Sequence, residues 1–227
     1  MAIYLDHAAS TPISDISLAE FNKQLQRIGN PSSLHNFGRD QRRALEEARE
    51  KIATFIDCAP SEIIFTGSGT EADNLAIKGL FWKSDKKVIV ISAFEHKAVL
   101  EPAEWLVEKE GAELIQIPIT KDGIVDLDFL KDLVAKRGSE IALISVMHSN
   151  NEIGAIQPID KVIEIAGQIP VHSDAVQSLL KVPVSFKGLT ALSISAHKVG
   201  GPVGVGALVL KRGLDIPALL HGGGQER

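Results

Sequence analysis

Lys198 stands in a setting that suits a nucleophilic amine. It follows the strand-like run ALSIS (191–195) and precedes VGGPVGVG, so small residues surround its side chain. A lysine at a strand end, out of bulk water and near other cationic groups, can have a lowered pKa and act as a nucleophile. The alternative is an ordinary basic side chain in a flexible loop, because the chain has 24 lysines and arginines.

Asp174 ends the run PVHSD (170–174), which we expect to be largely buried. A buried carboxylate is costly without a cationic or protonated partner. The pyridinium nitrogen of a bound cofactor is one such partner. A surface aspartate and a helix N-cap are alternatives. His172 alternates with Asp174 along the strand, so a metal pair is conceivable, although two ligands without a third make it the weakest interpretation.

Two further motifs could bind a planar, anionic ligand. In TGSGTEADN (66–74), the glycines let the backbone approach a ligand, and Thr70 opens a helix whose free N–H groups favour an anion. The alternative is a tight turn with Thr70 as the N-cap. His96 follows the run VIVIS at a helix start, where it could stack on a ring and move protons. A histidine that is satisfied by solvent is the alternative there.

The elements that position these residues alternate along the chain. Seven short runs rich in Ile and Val predict strands, several of them apolar throughout, at 62–65, 88–92, 113–117, 141–147, 170–174, 191–195 and 204–210. Helical periodicity lies between them, over 39–56, 70–82, 96–109, 127–137 and 158–167. The alternation predicts a mostly parallel α/β sheet, in which the last two strands can pair antiparallel. The polar clusters follow five strands, where ligands bind in such sheets.

Composition limits the function classes. The 227 residues are 44% hydrophobic and 23% charged, typical of a soluble globular protein, and they suffice for one large domain or two small ones. The net charge of −5 gives no attraction to nucleic acid or to anionic membranes. We find neither an apolar run of bilayer length nor a secretory pattern at the N-terminus. A single cysteine, Cys58, excludes an internal disulfide and favours a reducing, cytoplasmic setting.

Taken together, the motifs resemble the cysteine desulfurases, in the class V branch of the fold-type I pyridoxal-phosphate (PLP) enzymes. The resemblance begins at YLDHAASTP and ends at HGGGQER, passing through EIIFTGSGTEADNLAIKG, MHSNNEIGAIQPI, HSDAVQSLLKVPV and SISAHKVGGPVGVGAL. It implies a three-layer α/β/α large domain with a mostly parallel, roughly seven-stranded mixed sheet. We expect this PLP-binding domain to cover 15–227 and residues 1–14 to pack with a C-terminal small domain, which is absent from the chain.

The resemblance also implies roles at the cofactor. Lys198 would bond covalently to PLP and move protons, Asp174 would keep the pyridine nitrogen protonated, and His96 would stack on the ring and assist proton transfer. Gln177 would bind the phenolic oxygen, and Asn151 would orient the ring oxygen or the substrate carboxylate. The phosphate would be held by Gly69, Thr70, Ser195 and His197. We expect no metal.

The implied reaction converts L-cysteine to alanine and an enzyme persulfide, whose sulfur passes to an acceptor protein for iron–sulfur cluster or thio-cofactor assembly. A homodimer is expected. The nucleophilic cysteine and the substrate-binding arginine of the resembled family would lie beyond Arg227, and Cys58 lies at the wrong end of its strand, so we expect no persulfide formation by these residues alone. A selenocysteine lyase-type enzyme and a PLP-binding paralogue without turnover are the alternatives. Val203 replaces a lysine that is common in the family, with little effect expected.

Overall fold

A seven-stranded sheet organises the computed structural model, which describes residues 3–223 and 226. The strands, in chain order, are β1 (Ile63–Thr66), β2 (Val88–Ser92), β3 (Glu113–Ile117), β4 (Ile141–Ser145), β5 (Val171–Asp174), β6 (Ala191–Ser195) and β7 (Gly206–Leu210). Every residue of β2, β4, β5, β6 and β7 is buried, as expected of strands covered on both faces. The seven predicted strands are confirmed, with ends that differ by up to two residues.

The sheet has the order β1-β7-β6-β5-β4-β2-β3. Pairing is parallel from β3 through β2, β4 and β5 to β6, and β7 is antiparallel to both of its neighbours, β6 and β1. The predicted antiparallel pairing of the last two strands is therefore confirmed. Because β7 alone runs in the opposite direction, the carboxyl ends of the other six strands meet at one edge of the sheet.

Helices cover both faces of the sheet. They are α1 (Asp15–Leu25), α2 (Asn36–Ile56), α3 (Gly69–Lys83), α4 (Lys97–Glu110), α5 (Leu127–Arg137) and α6 (Ile159–Ala166). Ile56 of α2, Leu130 of α5 and Val162 of α6 belong to the apolar core on one face, whereas Ile77 of α3 and Leu106 of α4 belong to the core on the other. Each such side chain stabilises the fold by roughly 1.5–3 kcal/mol when fully buried. The three-layer α/β/α architecture is confirmed.

Helix α1 was not predicted by the apolar periodicity. Ser14 is its N-cap and accepts a hydrogen bond from the Ser17 N–H, yet none of its residues is buried against the described part of the chain. Ile16 is 84% exposed and Leu25 is 66% exposed. Because no apolar stripe faces the core, α1 lacks the pattern on which the other helices were recognised. None of the helices within residues 3–223 is long and apolar enough to cross a membrane.

The predicted boundary between residues 1–14 and the rest of the chain stays a prediction. Ile3 and Leu5, which precede it, are 81% and 80% exposed. Residues 11–14 nevertheless bond to the loop after β6, since Thr11 N–H donates to the carbonyl of His197 and Ser14 N–H to that of Gly200, both at 2.9 Å. Met1, Ala2 and three residues of the HGGGQER motif (224, 225 and 227) lie outside the described residues.

Candidate cofactor-binding site

A cavity of about 500 Å³ opens at the edge of the sheet where the six parallel strands end. The residues predicted from sequence all line it, namely Gly69, Thr70, His96, Asn151, Asp174, Gln177, Ser195, His197 and Lys198. These predicted residues come from positions up to 129 residues apart, and they meet because each one ends or follows a strand that ends at this edge. Other lining residues were not predicted from sequence: Asp6, Ala8, Ala9, Ser68, Asp73, Ala98, Met147 and Val176.

The beginning of helix α3 forms one wall of the cavity. Ser68 is its N-cap and accepts a hydrogen bond from Glu71 N–H at 3.0 Å, while Glu71 accepts one from Gly67 N–H at 2.8 Å. This reciprocal arrangement resembles a capping box, except that Glu71 accepts from the N–H of Gly67 rather than from that of the N-cap residue, Ser68. The alternative in which Thr70 is the N-cap is therefore wrong. The helix begins at Gly69, and its first turn directs free N–H groups and the positive end of its dipole towards the cavity.

Glycine at position 69 is required by a close approach of α3 to the sheet. A Cβ atom there would lie 2.8 Å from Val176 Cγ2 and 3.2 Å from Ser195 Cβ. The Ser195 hydroxyl is buried and, among the described residues, has no hydrogen-bond partner. A buried hydroxyl without a partner is costly, and an anion at this helix start would satisfy it. The wall therefore fits a phosphate group.

Asp174 is the last residue of β5 and is 5% exposed, so the surface-aspartate alternative is wrong. Its Oδ1 accepts a hydrogen bond from Val176 N–H at 2.8 Å. Burial raises the pKa of Asp174, while that hydrogen bond and the charges of His96 and Lys198 lower it. Residues 176–181 form turns rather than a helix, so Asp174 is not a helix N-cap. A buried carboxylate at a cavity wall suits a cationic ring nitrogen.

Lys198 ends a short 3-10 turn after β6 and is half-buried. Its Nζ donates hydrogen bonds to the carbonyl oxygens of Ala8 at 2.6 Å and Ala9 at 2.8 Å. Burial lowers the pKa of Lys198, as does the charge of Lys181, against the opposing effects of Asp174 and Asp6. A depressed pKa increases the fraction of uncharged amine, which is the nucleophilic form.

The loop that carries Lys198 is anchored rather than free. The Thr11 hydroxyl donates to the His197 carbonyl at 2.9 Å and accepts from Gly200 N–H at 2.7 Å. The motif YLDHAASTP, for which no role in the site was predicted, thereby supplies both the anchor and the carbonyls at the amine. Every residue has a backbone carbonyl, so residue type does not reveal which carbonyls contact the amine. Ala8 and Ala9 therefore could not be recognised from the sequence.

His96 is the N-cap of α4. Its Nδ1 accepts a hydrogen bond from Ala98 N–H at 3.1 Å, so in the neutral imidazole the proton resides on Nε2. Backbone rather than solvent therefore satisfies Nδ1. The side chain also lines the cavity, where a fixed tautomer gives the ring one defined donor.

The remaining predicted residues line the cavity rim. Gln177 donates to the Ala8 carbonyl at 2.8 Å and accepts from Lys181 Nζ at 3.1 Å. His197 Nδ1 lies 3.4 Å from the Ser10 hydroxyl, and burial together with the charge of Lys198 lowers the pKa of His197. Asn151 lies in the turn after β4.

Neither His172, considered above as a metal ligand, nor the single cysteine, Cys58, lines the cavity. Both ring nitrogens of His172 bond to serines, Nδ1 to Ser145 at 2.8 Å and Nε2 to Ser193 at 3.0 Å. The described ranges contain no group of three His, Cys, Asp or Glu residues placed to hold a metal. Cys58 precedes β1, at the edge of the sheet opposite the cavity, and burial followed by the charges of Glu62 and Asp57 raises its pKa to about 12.

Comparison with known proteins identifies many relatives of this chain, by sequence and by structure. The family model described as "Aminotransferase class-V" matches residues 3–227. The chain is 46% identical over 233 residues to the IscS-like cysteine desulfurase of Mycobacterium tuberculosis and 48% identical over 231 residues to cysteine desulfurase IscS of Dictyoglomus turgidum. The alignments cover 99% of this chain but only 59% and 58% of those relatives.

Solved structures agree with the sequence relatives. A NifS-like protein superposes with a TM-score of 0.94 at 38% identity, and it covers 100% of this chain and 64% of its own. A structure described as SspA in complex with cysteine gives a TM-score of 0.92 at 34% identity, with 99% and 66% covered. The likeness extends through every element that contributes to the cavity.

Proposed function

The chain belongs to the class-V aminotransferase family, and we propose that it forms the cofactor-binding site of a PLP-dependent cysteine desulfurase. One observation carries the proposal. A half-buried lysine with a lowered pKa and a buried carboxylate line the same cavity as an uncovered helix N-terminus. These three features match the aldehyde, the ring nitrogen and the phosphate of PLP.

The assignment of residues to the cofactor follows from their chemistry. Gly69 N–H, Thr70, Ser195 and His197 would hold the phosphate at the start of α3. Asp174 would keep a proton on the ring nitrogen, and Gln177 would donate to the phenolic oxygen. Bound in this way, PLP supplies an electron sink for a carbanion at the substrate Cα.

The protein's own groups would move the protons. Lys198 would hold the cofactor through its uncharged amine, and the same amine, when free, could accept the Cα proton of the substrate as a general base. Because Ala98 N–H occupies His96 Nδ1, His96 would use its Nε2–H to donate a hydrogen bond to the bound ligand. Asn151, at the rim, would orient the substrate carboxylate.

L-Cysteine is the proposed substrate, with alanine and persulfide sulfur as products. Support comes from the names of the relatives and from the cysteine complex of one structural neighbour. Sulfur delivery to an acceptor protein for iron–sulfur cluster or thio-cofactor assembly, a homodimer and a cytoplasmic location belong to the same proposal. A selenocysteine lyase-type activity is its alternative, tested by offering both amino acids.

The test is direct. Protein purified with PLP should show visible absorbance from the lysine-bound cofactor, and borohydride reduction followed by peptide mass spectrometry should locate the label on Lys198. Lys198→Ala should abolish the label, whereas Lys187→Ala, an exposed lysine outside the cavity, should keep it. A label on any other lysine would overturn the assignment.

A further inference from the structure

A second buried carboxylate, Asp73, has no role in the cofactor assignments above. It belongs to the first turns of α3, is 1% exposed and lines the same cavity as Asp174. Among the described residues, its Oδ1 has no hydrogen-bond partner. A buried carboxylate of this kind either needs a cation or carries a proton.

Within residues 3–223, no cationic side chain is paired with Asp73. The Nε2 atom of His172 lies 3.5 Å from Asp73 Oδ1. Burial lowers the pKa of His172 to about 3, so the imidazole is uncharged near neutral pH. The Ser193 hydroxyl, on the adjacent strand, is the other polar neighbour, and it is also neutral.

The charges that do act on Asp73 are negative. Burial raises the pKa of Asp73 well above its usual range, the charge of Asp174 raises it further, the hydrogen bond from Ser193 lowers it, and Glu95 adds to the rise. The electrostatic effects of His96 and Lys198 act instead on Asp174, whose pKa they lower. Two like charges in one buried site do not both ionise, so the proton belongs on the member that lacks a cation.

We propose that Asp73 is a positioning residue that holds a proton at neutral pH, so that Asp174 rather than Asp73 presents a negative charge to the cofactor ring. This inference rests on the proposed function for its purpose, although the proton on Asp73 is a property of the protein alone. A neutral Asp73 adds no second negative charge beside Asp174, and it lies next to the hydrogen-bonded chain Ser145–His172–Ser193.

The proposal predicts different PLP affinities for two isosteric substitutions. Asp73→Asn replaces a neutral acid by a neutral amide, so the dissociation constant for PLP should stay within about threefold of the wild-type value. Asp174→Asn removes the anion, so the same constant should rise by about tenfold or more, with altered cofactor absorbance. Equal losses of affinity in the two variants would contradict the proposal.

Infrared difference spectroscopy on the apoprotein tests the proton without the cofactor. At neutral pH, Asp73→Asn should remove a carbonyl band of a protonated carboxylic acid. Glu95→Gln is the matched control, because Glu95 is another buried carboxyl, and its substitution should remove a separate band. Absence of the Asp73 band would overturn the proposal. If wild-type protein showed the band but did not bind PLP, only the proposed function would fail.

Should Asp73→Asn not fold, selective carbon-13 labelling of aspartate in the wild-type holoenzyme gives the same answer. One aspartate carboxyl carbon should keep the chemical shift of the protonated acid at neutral pH. If every aspartate gave the shift of an ionised carboxylate, Asp73 would be charged and the inference would be wrong.

Discussion

The side-chain nitrogen of Lys198 lies 2.6 Å from the main-chain oxygen of Ala8, 190 residues earlier in the chain. The N-terminal segment is thus part of the site and provides the acceptors for the amine. Thr11 keeps the segment in place through its two hydrogen bonds to 197–200.

Thr11→Val should weaken cofactor binding without unfolding the protein. Loss of both hydroxyl hydrogen bonds frees the segment, and each is worth about 1 kcal/mol, so we expect PLP affinity to fall by about tenfold. Equilibrium titration with PLP measures this. Thr54→Val is the matched control, since Thr54 is at an exposed position of α2 and its hydroxyl bonds to the Glu50 carbonyl of the same helix, so the affinity of this variant should be unchanged. Equal affinity in the Thr11 variant would show that the anchor has no effect.

Two charge substitutions should move the pH dependence of cofactor attachment in opposite directions. Attachment requires the uncharged amine, so its rate should rise with pH up to the pKa of Lys198, which is lowered from 10.5. Lys181→Gln removes a like charge, which raises that pKa and moves the midpoint to higher pH. Asp6→Asn removes an opposite charge and moves it to lower pH. Stopped-flow absorbance across pH measures both, and shifts of the same sign would contradict this electrostatic account.

Glu95 should make the fold less stable as the pH rises. Its carboxyl is buried, and burial raises the pKa of Glu95 from 4.5 to about 8, against hydrogen bonds from Ser92 and from Met147 N–H. A raised folded-state pKa gives stability that is complete at pH values below the unfolded pKa and is lost as pH rises towards 8.

Glu95→Gln should remove this dependence. The difference in unfolding free energy between wild type and variant should shift against the wild type by a few kcal/mol between about pH 5 and pH 8. Denaturant titrations at several pH values give the difference, in which the opposite slope from buried His172 cancels. A difference that does not change with pH would mean that Glu95 is ionised throughout.

Gly69→Ala should weaken both folding and phosphate binding. The added methyl group meets Val176 and Ser195, and overpacking of this kind costs about 1–3 kcal/mol. Gly138→Ala, where the nearest atom to a new Cβ lies at an ordinary 3.5 Å, should stay within about 0.5 kcal/mol of wild type. Thermal unfolding and PLP titration check both variants. Adding Val176→Ala to Gly69→Ala should recover part of the loss, and no recovery would place the conflict elsewhere.

A polypeptide of these 227 residues should bind PLP but release no persulfide. Its one cysteine, Cys58, is at the opposite edge of the sheet and has a pKa raised to about 12, so it provides little thiolate near neutral pH. Alanine and sulfide assays with L-cysteine measure turnover. Cys58→Ala should leave cofactor absorbance unchanged, and clear turnover by the 227-residue polypeptide would refute the prediction.

The sequence predicted those features that leave a residue-type pattern. Continuous apolar runs identified the strands, and the polar clusters after them identified the cavity, since parallel strands end at one edge. Asp73 was missed because it lies in a helix, four residues after Gly69, where its burial depends on the sheet behind it. The place of β1 beside β7 was also missed, because the partner strand lies 146 residues away by their register.

That pairing has a consequence for synthesis of the chain on the ribosome. Ile63 pairs with Val209, and β1 has no other strand as neighbour, so the edge strand stays without a partner until β7 has left the exit tunnel. The turn that would bind phosphate follows β1 and is fixed against Gly206 at the start of β7. The turn that would bind phosphate therefore assembles only after β7 has emerged, when the parallel strands can already pair, and a nascent chain lacks affinity for the ligand until then.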